Sequence, residues 1–466
     1  MNPHDIRIED VFISFHPYDN RVPLKFGHEV STGGETIMAR VRVMGRDGRT
    51  AEGIGETPLG AAWSWPHETL SKSERIGRMR GFCRILRDSW AEEKTEGHPM
   101  EIGHHFLETR LQACLDLENG GRPEEERMPY LAALVCCSAF DLAVYDAYGM
   151  LHSVPVFDCL NAEYMNRDLS FYYTEPYKEL FKGKYPEQYL LPRGTVPDLL
   201  PACHLVGGKD LLEPEELTGS EPDDGYPVLL RDWIDRDGLF NLKIKLTGND
   251  AAWDYARIVH VGKIAIEKGV RNLTADFNCT VTDPEYVNRI LDRLKEEEPE
   301  IFSMILYVEQ PFPYDLEKYR IDVHSCSDRV LLLMDESAHD WRLVELGYRL
   351  GWTGVALKTC KTLTGALLSL CWAREHGMAI MVQDLTNPRL AIIPHALLAA
   401  NAGTIMGVEV NSMQFCPDAS ADAARIHPGI YRRRNGCIDL STLGKAGFGY
   451  RYSEIEKAER EAGGRA

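Results

Sequence analysis

Residues 36 to 56 carry two runs of alternating apolar and polar side chains, "TIMARVRVM" and "TAEGIGE", on either side of an "RDG" turn. That two-residue period predicts a β-hairpin, and the chain from about Ile6 to Pro58 reads as short strands. From Leu70 to about Glu118 apolar residues recur at three- and four-residue intervals, which predicts helices. The stretch "LAALVCCSAFDLAVYDAYGM" is apolar nearly all round and ends at about Gly149, the pattern of a helix buried between layers. Beyond it the rhythm changes. Short aliphatic runs alternate with helical stretches: "LSFYYT", "FNLKIKL", "NLTADF", "MILYVEQ", "VLLLMDE", "GVALK", "AIMVQD" and "GVEVN". Eight strands with helices between them predict a parallel sheet, and eight is the number that closes a barrel.

Five consecutive strands carry the series of interest at their ends: Lys245, Asp276, Glu309, Asp335 and Lys358. Successive members lie 31, 33, 26 and 23 residues apart, about one strand-loop-helix-loop unit each. The C-terminal ends of barrel strands open on one mouth, so the five are expected to converge there. One unit departs from the rhythm. About 65 residues separate "LSFYYT" from "FNLKIKL", and the Pro-, Gly- and acid-rich stretch at about 175–237 is expected to leave the barrel as an insertion.

Composition narrows the setting. The 466 residues are 44% hydrophobic and 26% charged, ordinary values for a globular chain long enough to bury a large core. A net charge of −19, with no Lys/Arg block, argues against nucleic acid as a partner. No uninterrupted apolar run reaches the length of a membrane span. The N-terminal stretch "MNPHDIRIEDVFISF" has acids where a signal peptide needs a basic start. The chain is therefore expected to be cytoplasmic. Its twelve cysteines, without zinc-like spacing, are expected to be buried reduced thiols, the adjacent Cys136 and Cys137 included.

A single Asp after a strand is ordinarily a helix N-cap. Asp276, Glu309 and Asp335 in three consecutive units are different, because three carboxylates facing one space repel unless a hard cation neutralises them. Oxygen donors at an open mouth suit one Mg²⁺, with positions left for water and substrate. Asn278 shares the strand face of Asp276 and is a further candidate oxygen; Glu336 either supports Asp335 or is an acid in the first turn of the next helix. Lys243 and Lys245 in "KIK" point to one face of a strand. Alone they would be solvated edge charges. Beside the carboxylate series they read as a division of labour, with Lys243 a fixed positive charge and Lys245 a base whose pKa it lowers. Lys358, one strand after Asp335, falls on the opposite side of the metal.

The ordered series is similar to the enolase superfamily, of the muconate lactonizing enzyme and mandelate racemase type. "RVRVMGRDGRTAEGIGETP" resembles the start of that family's capping domain, and "SAFDLAVYDAYGMLHSVPVFDCLN" its signature helix and the turn into the barrel. "KIK", "DFN", "VEQPF", "MDES" and "LKTCK" fall in the family's order, and "NGCIDLSTLGKAGFGYRY" resembles the tail that returns to the cap. The resemblance implies an α/β fold: a modified TIM barrel, (β/α)7β, with an N-terminal α+β capping domain. The cap would span 1–130, completed by a 430–466 tail, and the barrel 131–429. It also implies Asp276, Glu309 and Asp335 as metal ligands, Lys245 and Lys358 as the acid/base pair, and removal of a proton α to a carboxylate through an enediolate that the metal and Lys243 stabilise.

The chain departs from the family in ways that bear on substrate. No Asp–His dyad of the mandelate type is present, since His395 lies too far past the seventh strand. "QDLTNPRLA" does not match the lactonizing branch, and "GVEVNS" lacks the Asp-x-Asp of dipeptide epimerases. Asp384 and Glu409 stand at strand ends as substrate contacts or as caps. Arg389 is a candidate partner for a second substrate carboxylate. The cap is expected to close the mouth through 24–26, including Lys25, and through Trp63 to Trp65, where at least one tryptophan would serve packing. The expectation is a racemase or epimerase acting on a small carboxylate as a homo-oligomer. A lyase of the same family, an acid-sugar dehydratase or a cycloisomerase, is the alternative, and a non-catalytic relative a third.

Overall fold

The computed structural model describes residues 2–26 and 29–463. Ile6–Phe26 (β1), Glu29–Gly45 (β2) and Thr50–Pro58 (β3) form an antiparallel sheet in that order. Gly48 in the β2–β3 turn has φ +82°, a conformation that costs a side chain dearly. Against the sheet pack Ala61–Ser64 (α1), Lys72–Ala91 (α2), Pro99–Thr109 (α3), Leu111–Asn119 (α4) and Tyr130–His152 (α5). Twenty of the 23 residues of α5 are buried, which explains why its sequence has no polar face. It lies so close to β3 that a Cβ on Gly53 or Gly55 would stand 2.0 Å from its backbone at Ala147 N or Ala139 O. The expected boundary at residue 130 therefore cuts through the cap, which in packing runs to the end of α5. This region is also the one stretch among the described residues long and apolar enough to cross a membrane, and its apolar window is 89% buried inside the protein.

Eight parallel strands make the second layer: Leu199–Val206 (β4), Asn241–Lys245 (β5), Asn272–Asp276 (β6), Ile305–Glu309 (β7), Leu331–Met334 (β8), Gly354–Leu357 (β9), Ala379–Val382 (β10) and Val408–Glu409 (β11). Pairing of Val408 with Ala202 and of Glu409 with Cys203 closes them into a barrel. Leu230–Asp237 (α6) precedes β5, and Ala251–Lys268 (α7) follows it. Behind the barrel, Cys437–Asp439 (β12) pairs antiparallel with the start of β4. The last helix, Tyr452–Gly463, then reaches the cap, where Arg40 pairs with Glu456 at 2.8 Å. The tail thus joins the two layers. Asp146 of α5 seals the same junction, accepting the Phe448 N–H at 2.8 Å and the Ile54 N–H at 2.9 Å.

The first barrel strand is not the expected one. "LSFYYT" contains a single 3₁₀ turn, Leu169–Phe171, and Tyr173 donates its hydroxyl to the Leu368 carbonyl on the outside of the barrel. The strand is instead "LLPACHLV", inside the stretch expected to be an insertion at 175–237. Pro201 hides it from a pattern search, because proline is unwelcome in a central strand. Here it stands at the strand's start, beside the antiparallel β12, where Ala202 donates to the Gly436 carbonyl. The extra chain precedes the barrel, as an irregular segment from 153 to 198, and the crossover from β4 to β5 has an ordinary helix, α6.

His98 caps α3, its Nδ1 accepting the Met100 N–H at 3.1 Å, with its ring edge-on to Tyr145 and Tyr148. Complete burial lowers its pKa to about 3. The neutral ring is thus favoured by folding, so its stabilisation is whole above the unfolded value near 6.5 and is lost as pH falls from there toward 3. His98→Asn keeps a capping acceptor and removes the titration. Urea unfolding between pH 6.5 and 4.5 is expected to lose about 2 kcal/mol less in the variant than in the parent.

Candidate active site

β5 presents Lys243 and Lys245 two residues apart, hence on one face, and register carries that face around the ring. Lys245 pairs with Asp276 and Asp276 with Glu309, so the three stand level on adjacent strands. Asp335 lies just past the end of β8, and Lys358 just past β9. All five are buried, as are Lys243, Glu336, Lys361, Asp384 and Glu409. β5 and β9 have three strands between them on either way round the closed barrel, so Lys245 and Lys358 face each other across the mouth.

Lysine ammonium groups bridge the carboxylates. Lys243 Nζ lies 2.7 Å from Glu309, 3.0 Å from Glu409 and 3.2 Å from Asp276. Lys245 donates to Asp276 and, at 2.9 Å, to Asn278 Oδ1. Lys358 stands 3.2 Å from Asp335 and donates to the Asp384 carbonyl at 2.9 Å. Lys361 donates to the Asp335 carbonyl and lies 3.4 Å from its carboxylate. Gln383 donates to Glu309, and Gln310 Oε1 accepts from the Asp335 N–H at 2.8 Å and the Ser337 hydroxyl at 2.7 Å. Residues just after strand ends take left-handed backbone to aim these groups: Asn278 at φ 53°, Gln310 at φ 30° and Thr362 at φ 70°.

The electrostatics follow from contact. Burial disfavours the charge on Lys358, but Asp335, Glu409 and Glu309 together outweigh it and the pKa rises. Burial likewise opposes the Lys243 charge, and Glu309, Glu409 and Asp276 more than restore it. The charged form of Lys243 is thus favoured. Lys361 is lowered, because burial exceeds the help from Asp335 and the Lys358 charge adds to it. Burial raises Asp276 and Asp335, and their lysines pull both below the usual carboxylate range. Glu309 is pushed well up by burial and by Asp276. Burial, with Asp335 and Asp276 nearby, raises Glu336 to about 7.

Among the described residues no group of three or more His, Cys, Asp or Glu is arranged to hold a metal ion as it stands, since the lysines lie between the acids. The donor set nevertheless fits a hard divalent cation. Asp276, Glu309, Asp335 and Glu336 offer only oxygen, and Glu336 Oε2 is buried with no partner. Six buried carboxylates face four buried ammonium groups, and burial pushes Glu309, Glu336 and Asp384 up, so a divalent cation at this site would take the place of protons on them.

The remaining candidates divide. Trp63 reaches the site from α1: its Nε1 donates to Glu336 at 2.9 Å and its ring lies 5.3 Å from Lys358 Nζ. Trp65 packs inside the cap beneath Arg78, 4.5 Å from its guanidinium. Glu409 faces the cluster through Lys243. Asp384 ties loops, accepting the Asn387 and Asn411 N–H groups at 2.8 Å each. Lys25 lines the cavity beside Lys245. Of the expected stretch 24–26, the side chain of Phe26 lies outside what is described. Arg389 is corrected: it pairs with the buried Glu56 of β3 at 2.9 Å and with Glu459 at 3.2 Å, clamping cap to barrel away from the mouth. His395 is absorbed by the Glu409 carbonyl, 2.9 Å from Nε2. Sequence reasoning missed Lys361, Gln310 and Gln383. Lys361 had a signal, since Thr359–Lys361 is a 3₁₀ turn that returns a residue three positions after Lys358 to the same side.

Residues 227–456 match the model of the family described as enolase C-terminal domain-like. No curated protein sequence matches the chain. Solved structures do. The L-Ala-D/L-Glu epimerase of Bacillus subtilis, in a substrate-liganded complex, is 16% identical with a TM-score of 0.59, over 95% of this chain and 98% of that one. A dipeptide epimerase from Enterococcus faecalis V583, complexed with Mg and L-Leu-L-Tyr, is 15% identical with a TM-score of 0.59, over 95% and 99%. A muconate lactonizing enzyme from Pseudomonas fluorescens, complexed with muconolactone, is 15% identical with a TM-score of 0.56, over 95% and 96%. At these identities the likeness is one of fold. The oxygen-only donor set leads to a direct expectation: calorimetry of the chelator-stripped protein should give one Mg²⁺ per chain, and Asp276→Asn should weaken it at least about tenfold.

Proposed function

From the match of residues 227–456 to the enolase C-terminal domain-like family, and from the fold that the whole chain shares with a mandelate racemase/muconate lactonizing protein, we propose a Mg²⁺-dependent racemase or epimerase that moves the proton α to a carboxylate. The observation that carries this reading is the placement of Lys245 and Lys358 on opposite sides of one row of carboxylates. Two acid/base groups on opposite faces of one carbon permit removal of a proton from one side and return to the other.

A bound Mg²⁺, held by Asp276, Glu309 and Asp335, would supply the positive charge that stabilises an enediolate. The chain's own residues do the rest. Lys243 stays cationic because three carboxylates hold its proton, and it adds fixed positive charge beside Lys245. One of Lys245 and Lys358 begins neutral and takes the α-proton; the other begins charged and gives one back on the far face. Glu336 and Trp63 wall the site on the cap side.

The reading predicts that solvent deuterium enters the α-position when the Mg²⁺-loaded enzyme meets a suitable member of a library of acid sugars, dipeptides and N-acyl amino acids. Product mass then separates the classes, since epimerisation retains the atoms and dehydration loses water. Exchange into no compound of a broad library would contradict the proposal and favour a non-catalytic relative. With a substrate in hand, Lys245→Ala is expected to lower kcat by about 10² to 10⁴.

A further inference from the structure

Beside Lys245 the barrel mouth continues into a cavity of about 450 Å³. Two more lysines line it. Lys25 comes from the cap, on β1, where Lys25 pairs with Val30 of β2. Lys209 comes from the barrel, on the loop after β4. Their situation differs from that of the buried lysines. Lys243, Lys358 and Lys361 are each held by carboxylates, whereas Lys25 and Lys209 have no ion pair or side-chain hydrogen bond among the described residues.

The one acid of the wall, Asp250, is engaged as the cap of α7, accepting the Ala252 N–H at 3.1 Å and the Trp253 N–H at 3.0 Å. Thr280 donates to the Thr247 carbonyl at 2.7 Å, and Asn278 accepts from Lys245. With Lys245 neutralised by Asp276, Lys25 and Lys209 against Asp250 leave the cavity with an excess of one positive charge, in a chain of net charge −19. Such a concave cationic site focuses its field on an anion.

We propose that the substrate carries a second anionic group, a carboxylate or a phosphate, which Lys25 and Lys209 hold at the end of this cavity remote from the metal. The inference rests on the proposed function, which assigns the α-carboxylate end to the barrel mouth. Because one lysine belongs to the cap and the other to the barrel, the anion bridges the two layers.

The test uses full-length protein saturated with Mg²⁺ and follows tryptophan fluorescence, since Trp253 lines the cavity. Glutarate, 2-carboxyethylphosphonate and butyrate are titrated into the parent, into Lys25→Gln, Lys209→Gln and the double variant, and into Lys25→Arg/Lys209→Arg as a folded control. At least one dianion is expected to bind about tenfold more tightly than butyrate. Each glutamine should erode that advantage, the pair should abolish it, and the arginines should keep it. The tighter of the two dianions identifies carboxylate or phosphate as the group. Equal binding of all three acids, or an advantage that survives the double glutamine variant, would overturn the proposal. A dianion preference with no α-proton exchange anywhere would overturn the catalytic reading and leave the anion site standing. Exchange that proceeds equally well with neutral-tailed acids would do the reverse.

Discussion

The structure turns on a problem of charge confinement. Closing eight strands into a ring brings ten ionisable side chains to one buried mouth: Lys243, Lys245, Lys358, Lys361, Asp276, Glu309, Asp335, Glu336, Asp384 and Glu409. Each charge taken out of water costs several kcal/mol, so none is tolerable without the others. The lysines are therefore placed between the acids and not merely near them. This constraint accounts for features that look unrelated, from the left-handed backbone after β6 and β7 to the full engagement of Gln310. It also accounts for the surplus of carboxylates over ammonium groups, an oxygen-only donor set that suits a divalent cation.

The cap shares in that arrangement. Trp63 places an apolar ring over two ammonium groups and one N–H on Glu336, so closure of the cap dries the site and partners an acid together. Arg21 secures the neighbouring edge with a 2.6 Å ion pair to Asp224 and hydrogen bonds to the Tyr226, Pro227 and Gln414 carbonyls. Farther out, Arg389 and Glu56 join β3 to the loop after β10. Cap and barrel are thus tied by buried or half-buried charges at several points, and the mouth lies between them.

What could be read from the sequence follows from the range of each interaction. Asp276, Glu309 and Asp335 were legible because each ends an apolar run and the runs recur at the spacing of one structural unit. "KIK" was legible because strand period sets both lysines on one face. β4 was not, because Pro201 breaks its pattern while "LSFYYT" offers a better-looking strand that its aromatic packing draws elsewhere. Arg389 was misread for a different reason: its partner Glu56 is 333 residues away, and nothing local distinguishes a clamp from a ligand. The pKa of Lys358 was equally inaccessible, since Asp335, Glu409 and Glu309 together reverse the shift that burial alone would give.

The central claim is that Lys245 and Lys358 approach one carbon from opposite faces. The most direct measurement is stereospecific α-proton exchange in D₂O, with each enantiomer of a substrate presented separately to Lys245→Ala and Lys358→Ala. The account predicts complementary loss: each variant still exchanges one enantiomer, and the two variants retain opposite ones. Loss of exchange for the same enantiomer in both variants, or equal slowing of both enantiomers in each, would contradict it.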